Sequence, residues 1–410
     1  MDRLDADHEP KLSLADFKPS ARGLSGSGER PLLVCFSHLR WNFVWQRPQH
    51  LLGRAARAFD VVFFEEPIFS DEQAPSLRVT KAQDNVEVVV PLLPTGQTLA
   101  ADRAQRLLLE EFLRTRTNAV RVFWYYTPAA IGFSGGLPRD LTIYDNMDEL
   151  SAFRGAPPEL IRQEQDLFAK ADLVFTGGRS LYEAKRTRHP DVHCFPSSID
   201  AAHYAQARRK NGVDPVDQAN IARPRIGFFG VIDERFDCDF LTAFADLRPD
   251  WQLVMIGPVL KIDPAVLPRR PNIHWLGQKD YKALPSYLRH WDLGLMAFAL
   301  NESTRFISPT KTPEFLAAGV PVLSTPIVDV VKTYGEAGLV EIVSTPEEAV
   351  EAAARAMARP RDEWLRQVDR QLATNSWDRT WERMQDLILS GLRLSKAERP
   401  AMSAALARSA

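Results

Sequence analysis

From Pro31 onward, short apolar and β-branched runs alternate with stretches in which apolar positions recur at helical spacing. PLLVCF from Pro31, DVVFFE from Asp60, NVEVVV from Asn85, VRVFWYY from Val120, LTIY from Leu141 and DLVF from Asp172 read as parallel strands covered on both faces. Between the first two, RPQHLLGRAARAF sets Leu51, Leu52, Ala55 and Phe59 on one helical face, with Pro48 suited to the first turn. Strand then helix, repeated, predicts a doubly wound sheet. The pattern lapses in the polar stretch AAHYAQARRKNGVDPVDQANIAR and then restarts. PRIGFFG from Pro224, WQLVMIG from Trp251, NIHWLG from Asn272, DLGLMA from Asp292, VPVLS from Val320 and LVEIV from Leu339 form a second strand series. The expected organisation is a leader 1–29, a first α/β domain 30–205, a linker 206–223, a second α/β domain 224–375, a helix 376–392 and a tail 393–410. Open parallel sheets bind ligands beyond the carboxyl ends of their strands, so two facing sheets would share a central cleft.

Composition narrows the function classes. The 410 residues are 45% hydrophobic and 25% charged, average for folded proteins, which excludes disorder or coiled coil for the whole chain. A formal net charge of -2 leaves no broad basic face, so nucleic acid is not an expected partner. Cys35, Cys194 and Cys238 lie far apart without C-x-x-C spacing, which suits reduced thiols in a cytoplasmic chain and gives no metal site. No apolar run reaches the roughly 20 residues of a spanning helix, and the first residues are charged where a signal peptide is apolar. The tail carries Arg393, Lys396, Arg399 and Arg408 against Glu398, leaving open a weak peripheral contact with the inner face of a membrane.

The densest chemistry lies in ISPTKTPEFLAAGVPVLST, Ile307 to Thr325, where a polar loop leads into a short helix that Gly319 can close. Ser308–Pro309 and Thr312–Pro313 are equally good cap and first-turn pairs, so the first helical residue stays open. In either register, free backbone N–H groups, the helix dipole and Lys311 converge where a phosphate could bind. Glu314, one turn in, can accept two hydroxyl hydrogen bonds as from a ribose, or simply complement the dipole.

This block, with Pro309, Lys311, Glu314, Phe315 and Leu316 through Val322, resembles that of the retaining GT-B glycosyltransferases of family 4. Further blocks recur in order: FSHLRWNFVWQRPQHLL, YDNMDELSAF, ADLVFTGGRSLYEAK, GFFGVIDERFD, RPDWQLVMIGP and HWLGQKDYKALPSYL. The resemblance implies a GT-B fold, two Rossmann-like domains facing a cleft, with the last helix crossing back to the first. It implies transfer of a hexose from a nucleotide-sugar donor to a glycan, glycolipid or small glycoside in polysaccharide or glycoconjugate synthesis, with retention of configuration and no cofactor or catalytic metal. By position, Glu314 would hold the donor ribose. Ser308, Pro309, Thr310 and Lys311 would lie near the diphosphate, Gly230 and Arg235 would face the phosphates, and Gly257 and Gln278 would enclose the nucleotide. Two departures stand out. Family members often carry a glutamate eight positions before the ribose glutamate, where this chain has Phe306, and Asp237 occupies the region where a second basic residue is usual.

In the first half, HLRWNFVWQRP crowds His38, Trp41, Trp45 and Arg47 beyond the first strand. The tryptophans can stack on sugar or pack between sheet and helix, and Arg47 can reach an anionic group. His38 can orient a donor hydroxyl or be structural. Asp145 and Asp148 can polarise an acceptor hydroxyl; Asp148 can equally cap a helix. A sugar-nucleotide epimerase or hydrolase, and a non-catalytic sugar-nucleotide binder, are the alternative functions.

Overall fold

The computed structural model describes residues 30–71, 73–96, 101–209 and 211–406, with side chains as far as Leu394. The expected leader 1–29 and the tail's basic side chains beyond Arg393 lie outside the described residues. A 9-stranded sheet holds β1 (Leu32–Ser37), β2 (Asp60–Glu65), β3 (Ile68–Ser70), β4 (Ser76–Gln83), β5 (Val86–Pro94), β6 (Arg121–Tyr125), β7 (Leu141–Asn146), β8 (Leu173–Thr176) and β9 (Val192–Cys194). A 6-stranded sheet holds β10 (Arg225–Phe229), β11 (Gln252–Ile256), β12 (Ile273–Gly277), β13 (Leu293–Met296), β14 (Val322–Ser324) and β15 (Val340–Ile342).

The strand orders are β3-β5-β2-β1-β6-β7-β8-β9, with β4 antiparallel on β5, and β12-β11-β10-β13-β14-β15. In each sheet the order reverses beside the first strand, at β1/β6 and at β10/β13, which opens a crevice at their carboxyl ends. The strands read from the sequence are the central, buried ones together with the half-buried edge strands β12 and β15. β4, exposed along most of its length, carries no continuous apolar run to signal it. On the helix Arg47–Ala55, Leu51, Leu52 and Ala55 are fully buried, as is Phe59 beyond it, and Gln46 with Gln49 forms a capping box around Pro48.

The second half begins earlier in the chain than the polar stretch suggests. Ile199, Tyr204 and Ala207 already pack in its core. Within the expected linker, Gln218 is fully buried and accepts from the Trp291 indole at 2.7 Å. The last helix, Trp377–Leu406, extends past residue 392 and returns to the first half. There Trp377, Trp381, Met384 and Ile388 join the core that β1, β6 and β7 cover. None of the described helices is long and apolar enough to cross a membrane.

Candidate active site

The loop that follows β13 ends in the helix Lys311–Ala318, with Thr310 as its N-cap. Neither pairing suggested by the sequence sets this start. Pro313 is tolerated because the first backbone bond of the helix is donated by Glu314 to the Thr310 carbonyl, so the missing proline N–H is one that a first turn leaves unbonded. Gly319 closes the helix in the left-handed conformation, φ 77°.

A cavity of about 230 Å³ opens at this helix start. Thr310, Lys311, Glu314, Gly230, Gly257 and Gln278 all contribute to its wall, so the structure brings together most of the positions singled out for the donor. Two glycines let it form. Gly230 has φ 140° and a Cβ there would lie 2.5 Å from Lys311 Cε, while a Cβ at Gly257, φ 147°, would collide with the Gly230 carbonyl. Backbone and the lysine stem thus approach as closely as they can.

Burial raises the Glu314 carboxyl to about 7; Lys311 and the Tyr204 hydroxyl pull the other way. Lys311 itself is lowered by burial, with Glu314 opposing. Each group would gain from a ligand that neutralises or hydrogen-bonds it. Ser308 and Pro309 line a separate cavity of about 460 Å³ between the halves, where the Ser197 hydroxyl donates to the Ser308 carbonyl at 2.6 Å.

The first half supplies the opposite wall. Gln278 Nε2 donates to the Phe43 carbonyl at 2.7 Å, and Trp45, 42% exposed, stacks on Tyr281 with centroids 5.8 Å apart. Trp41 lines the cavity too, yet it is buried edge-on against Phe63 at 5.1 Å. Arg47 does not face an open anion site. Its Nη2 and Nε donate to both Asp145 oxygens at 2.9 and 3.1 Å, and its Nη1 to the Phe195 carbonyl at 2.8 Å. That pair is buried, and it holds the helix Arg47–Ala55 against the end of β7. Asp145 is therefore committed to Arg47, and neither residue lines a described cavity near the cleft.

Asp148 is placed differently. It caps no helix, and burial raises its carboxyl against the nearby Arg235, Arg47 and Lys311, with Asp233 adding to the rise. Burial, helped by Lys261, lowers His38 to about 4, so its ring is neutral at pH 7; its buried Nδ1 makes no hydrogen bond within the protein. Arg235 stands outside the cavity wall. Asp233 grips it through Nε at 3.0 Å and Nη2 at 2.7 Å, and its guanidinium lies 5.3 Å from the Phe153 ring centroid. Phe306 lies under the Arg305 guanidinium, 5.2 Å from its ring centroid. Among the described residues no group of three or more His, Cys, Asp or Glu could hold a metal ion.

Solved structures share this architecture over almost their whole length. Sucrose-phosphate synthase from Thermosynechococcus elongatus aligns with TM-score 0.66 and 14% identity, over 88% of this chain and 98% of that one. The trehalose-6-phosphate structure from E. coli bound with UDP-2-fluoro glucose aligns with TM-score 0.63 and 15% identity, over 87% and 98%. The fold is GT-B. Within it, residues 223–359, the second half of the GT-B pair, match the family model Glycosyl transferases group 1. A curated relative, the putative teichuronic acid biosynthesis glycosyltransferase TuaH of Bacillus subtilis (strain 168), is 29% identical over 236 residues. The match covers 53% of this chain and 59% of that relative, so the chain spans under two thirds of its length.

Tyr204 and Lys261 lie outside the blocks that carry the resemblance, and Tyr281, Phe153 and Asp233 lie inside such blocks without being singled out. Tyr204 sits in the polar stretch that lapses from the strand pattern and Tyr281 follows β12, and both line the cavity.

Proposed function

We propose that this chain is a retaining, metal-independent glycosyltransferase of family 4, moving a hexose from a nucleotide-sugar donor to an acceptor hydroxyl in cytoplasmic polysaccharide or glycoconjugate synthesis. The observation that carries the reading is the pairing of Glu314 and Lys311 on the first turn of one helix, over the glycines Gly230 and Gly257. A carboxylate with few internal donors suits ribose hydroxyls; a helix start with a lysine suits the diphosphate that departs with the nucleotide. The teichuronic acid biosynthesis for which the Bacillus subtilis relative is named supports a glycan product.

In this mechanism the acceptor attacks on the face the nucleotide leaves, and a donor phosphate oxygen takes the acceptor proton. Asp148 holds or polarises the acceptor hydroxyl, and the neutral His38 orients a donor hydroxyl through its unbonded Nδ1. Thermal melts against UDP-, GDP- and ADP-sugars identify the donor, since a ligand of the folded state must raise its apparent stability. NMR of the product then reads the anomer. An inverted linkage overturns retention, and donor consumption without any acceptor points to hydrolysis instead.

A further inference from the structure

The loop that follows β11 runs beside the Gly230–Arg235 loop. The Ile232 N–H donates to the Pro258 carbonyl at 2.9 Å, and the Leu260 N–H donates to the Ile232 carbonyl at 2.9 Å. This short parallel zipper, centred on Ile232 and Val259, fixes where Lys261 emerges. Lys261 has φ 59°, a left-handed backbone that a lysine adopts only at an energetic cost, and such strain concentrates at sites where geometry matters. Its ammonium lies 5.3 Å from the ring centroid of Phe153, the same ring that Arg235 covers at 5.3 Å. Phe153 belongs to the first half. Both cations therefore stand in the cleft, and the Lys261 charge reaches His38 and Glu66 on its far side.

The charges around this point are unevenly committed. Arg235 is matched by Asp233 through a two-point ion pair, and Lys311 is offset by Glu314. Lys261 makes no ion pair among the described residues; it rests on an aromatic face, with the Glu66 carboxylate close enough to feel its charge. Asp237, where a second basic residue is usual, cannot serve. Its carboxylate caps the helix Cys238–Leu247 by accepting from the Phe240 N–H at 2.8 Å.

We propose that Lys261 is the second cation of the diphosphate site. It leaves the Phe153 ring to pair with the donor's diphosphate, and so replaces from the β11 loop the charge that the β10 loop has given up. The proposal rests on the donor reading above. A flexible ammonium parked on a ring gives up little on moving to an anion, and gains a charge-assisted hydrogen bond as negative charge develops on the leaving group. The strained backbone is then explained as the geometry that aims the side chain back over the cleft.

The test is calorimetric titration of UDP, GDP and ADP, and of the matching monophosphates, into the full chain and its Lys261→Met and Lys261→Arg variants. For the best-binding base, Lys261→Met should weaken the diphosphate about tenfold and the monophosphate much less. Lys261→Arg should recover most of the loss. A purely structural lysine would instead shift the melting temperature and leave the ratio of diphosphate to monophosphate affinity unmoved. That outcome overturns the proposal, as does an effect confined to the acceptor KM. If the unaltered chain binds none of the nucleotides, the donor reading fails and this proposal with it; if it binds and Lys261→Met matches it, only this proposal fails.

Discussion

At the residue scale, Glu314 sets function against stability. Its carboxyl stands at about 7 in the folded chain against an ordinary 4.5, because burial disfavours the charged form. Below about pH 4.5 it is protonated folded or unfolded and contributes nothing. Between there and about 7 the unfolded chain releases its proton first, so stability falls as pH rises, and above 7 the full cost applies, about 3 kcal/mol. Glu314→Gln should therefore raise stability at pH 8 by up to that amount and leave pH 4.5 nearly unchanged, read by denaturant titration at both values. The same change should remove most nucleotide-sugar affinity. Affinity of the unaltered chain should rise between pH 6 and 8, because only the ionised carboxylate accepts two ribose hydroxyls, and Glu314→Gln should abolish that rise. Gly257 shows the other kind of constraint. Gly257→Ala meets both an unfavourable φ and the Gly230 carbonyl, so it should destabilise by at least about 1–3 kcal/mol and deform the cavity. Glu314 and Lys311 were legible because they sit at a helix start that local spacing marks, and Gly230 and Gly257 only through the blocks that carry the family resemblance. Arg47 and Asp145 were not, since nothing within either segment announces that the two charges satisfy each other across 98 positions.

Elements differ in legibility for a physical reason. A strand buried on both faces must be apolar throughout, so every central strand announces itself, whereas β4 and the short β3 and β9 lie at or near sheet edges and need no such run. The helix Lys311–Ala318 was visible by its closing Gly319, but its start was ambiguous because a proline at the third helical position offends nothing. The final helix carries the clearest energetic prediction at this scale. Trp381 is 3% exposed, stacks near Trp124 at 6.5 Å and meets Phe59 edge-on at 6.2 Å, so it belongs to the core of a half it is far from in sequence. Trp381→Ala should cost about 3–5 kcal/mol by leaving a cavity between this helix and the sheet. If the helix merely lay on the surface, the loss in a denaturant melt would stay below about 1 kcal/mol.

For the whole molecule the question is how the halves share one ligand. Away from the cavity at the start of the helix Lys311–Ala318 they are tied firmly: Asp329 of the second half accepts from the Arg179 and Ser180 N–H groups of the first at 2.8 and 2.9 Å, and Ser197 bonds to Ser308. At the cavity they meet through lighter contacts, the Gln278 to Phe43 hydrogen bond and the Trp45 ring on Tyr281. This asymmetry is what a cleft needs if it is to open for the donor and close over it. Sequence spacing could indicate two halves and a cleft but not which side chains meet across it, because that depends on the angle at which the halves dock. Trp45 tests the arrangement, since it is partly exposed and its loss should leave the folded halves intact. Trp45→Ala removes an aromatic pair worth about 0.5–1.5 kcal/mol, so donor affinity should fall by roughly 2- to 12-fold. The melting temperature without ligand should hardly move, while the ligand-induced rise shrinks. Unchanged affinity would mean that the Trp45 ring is no part of the wall that closes over the bound donor.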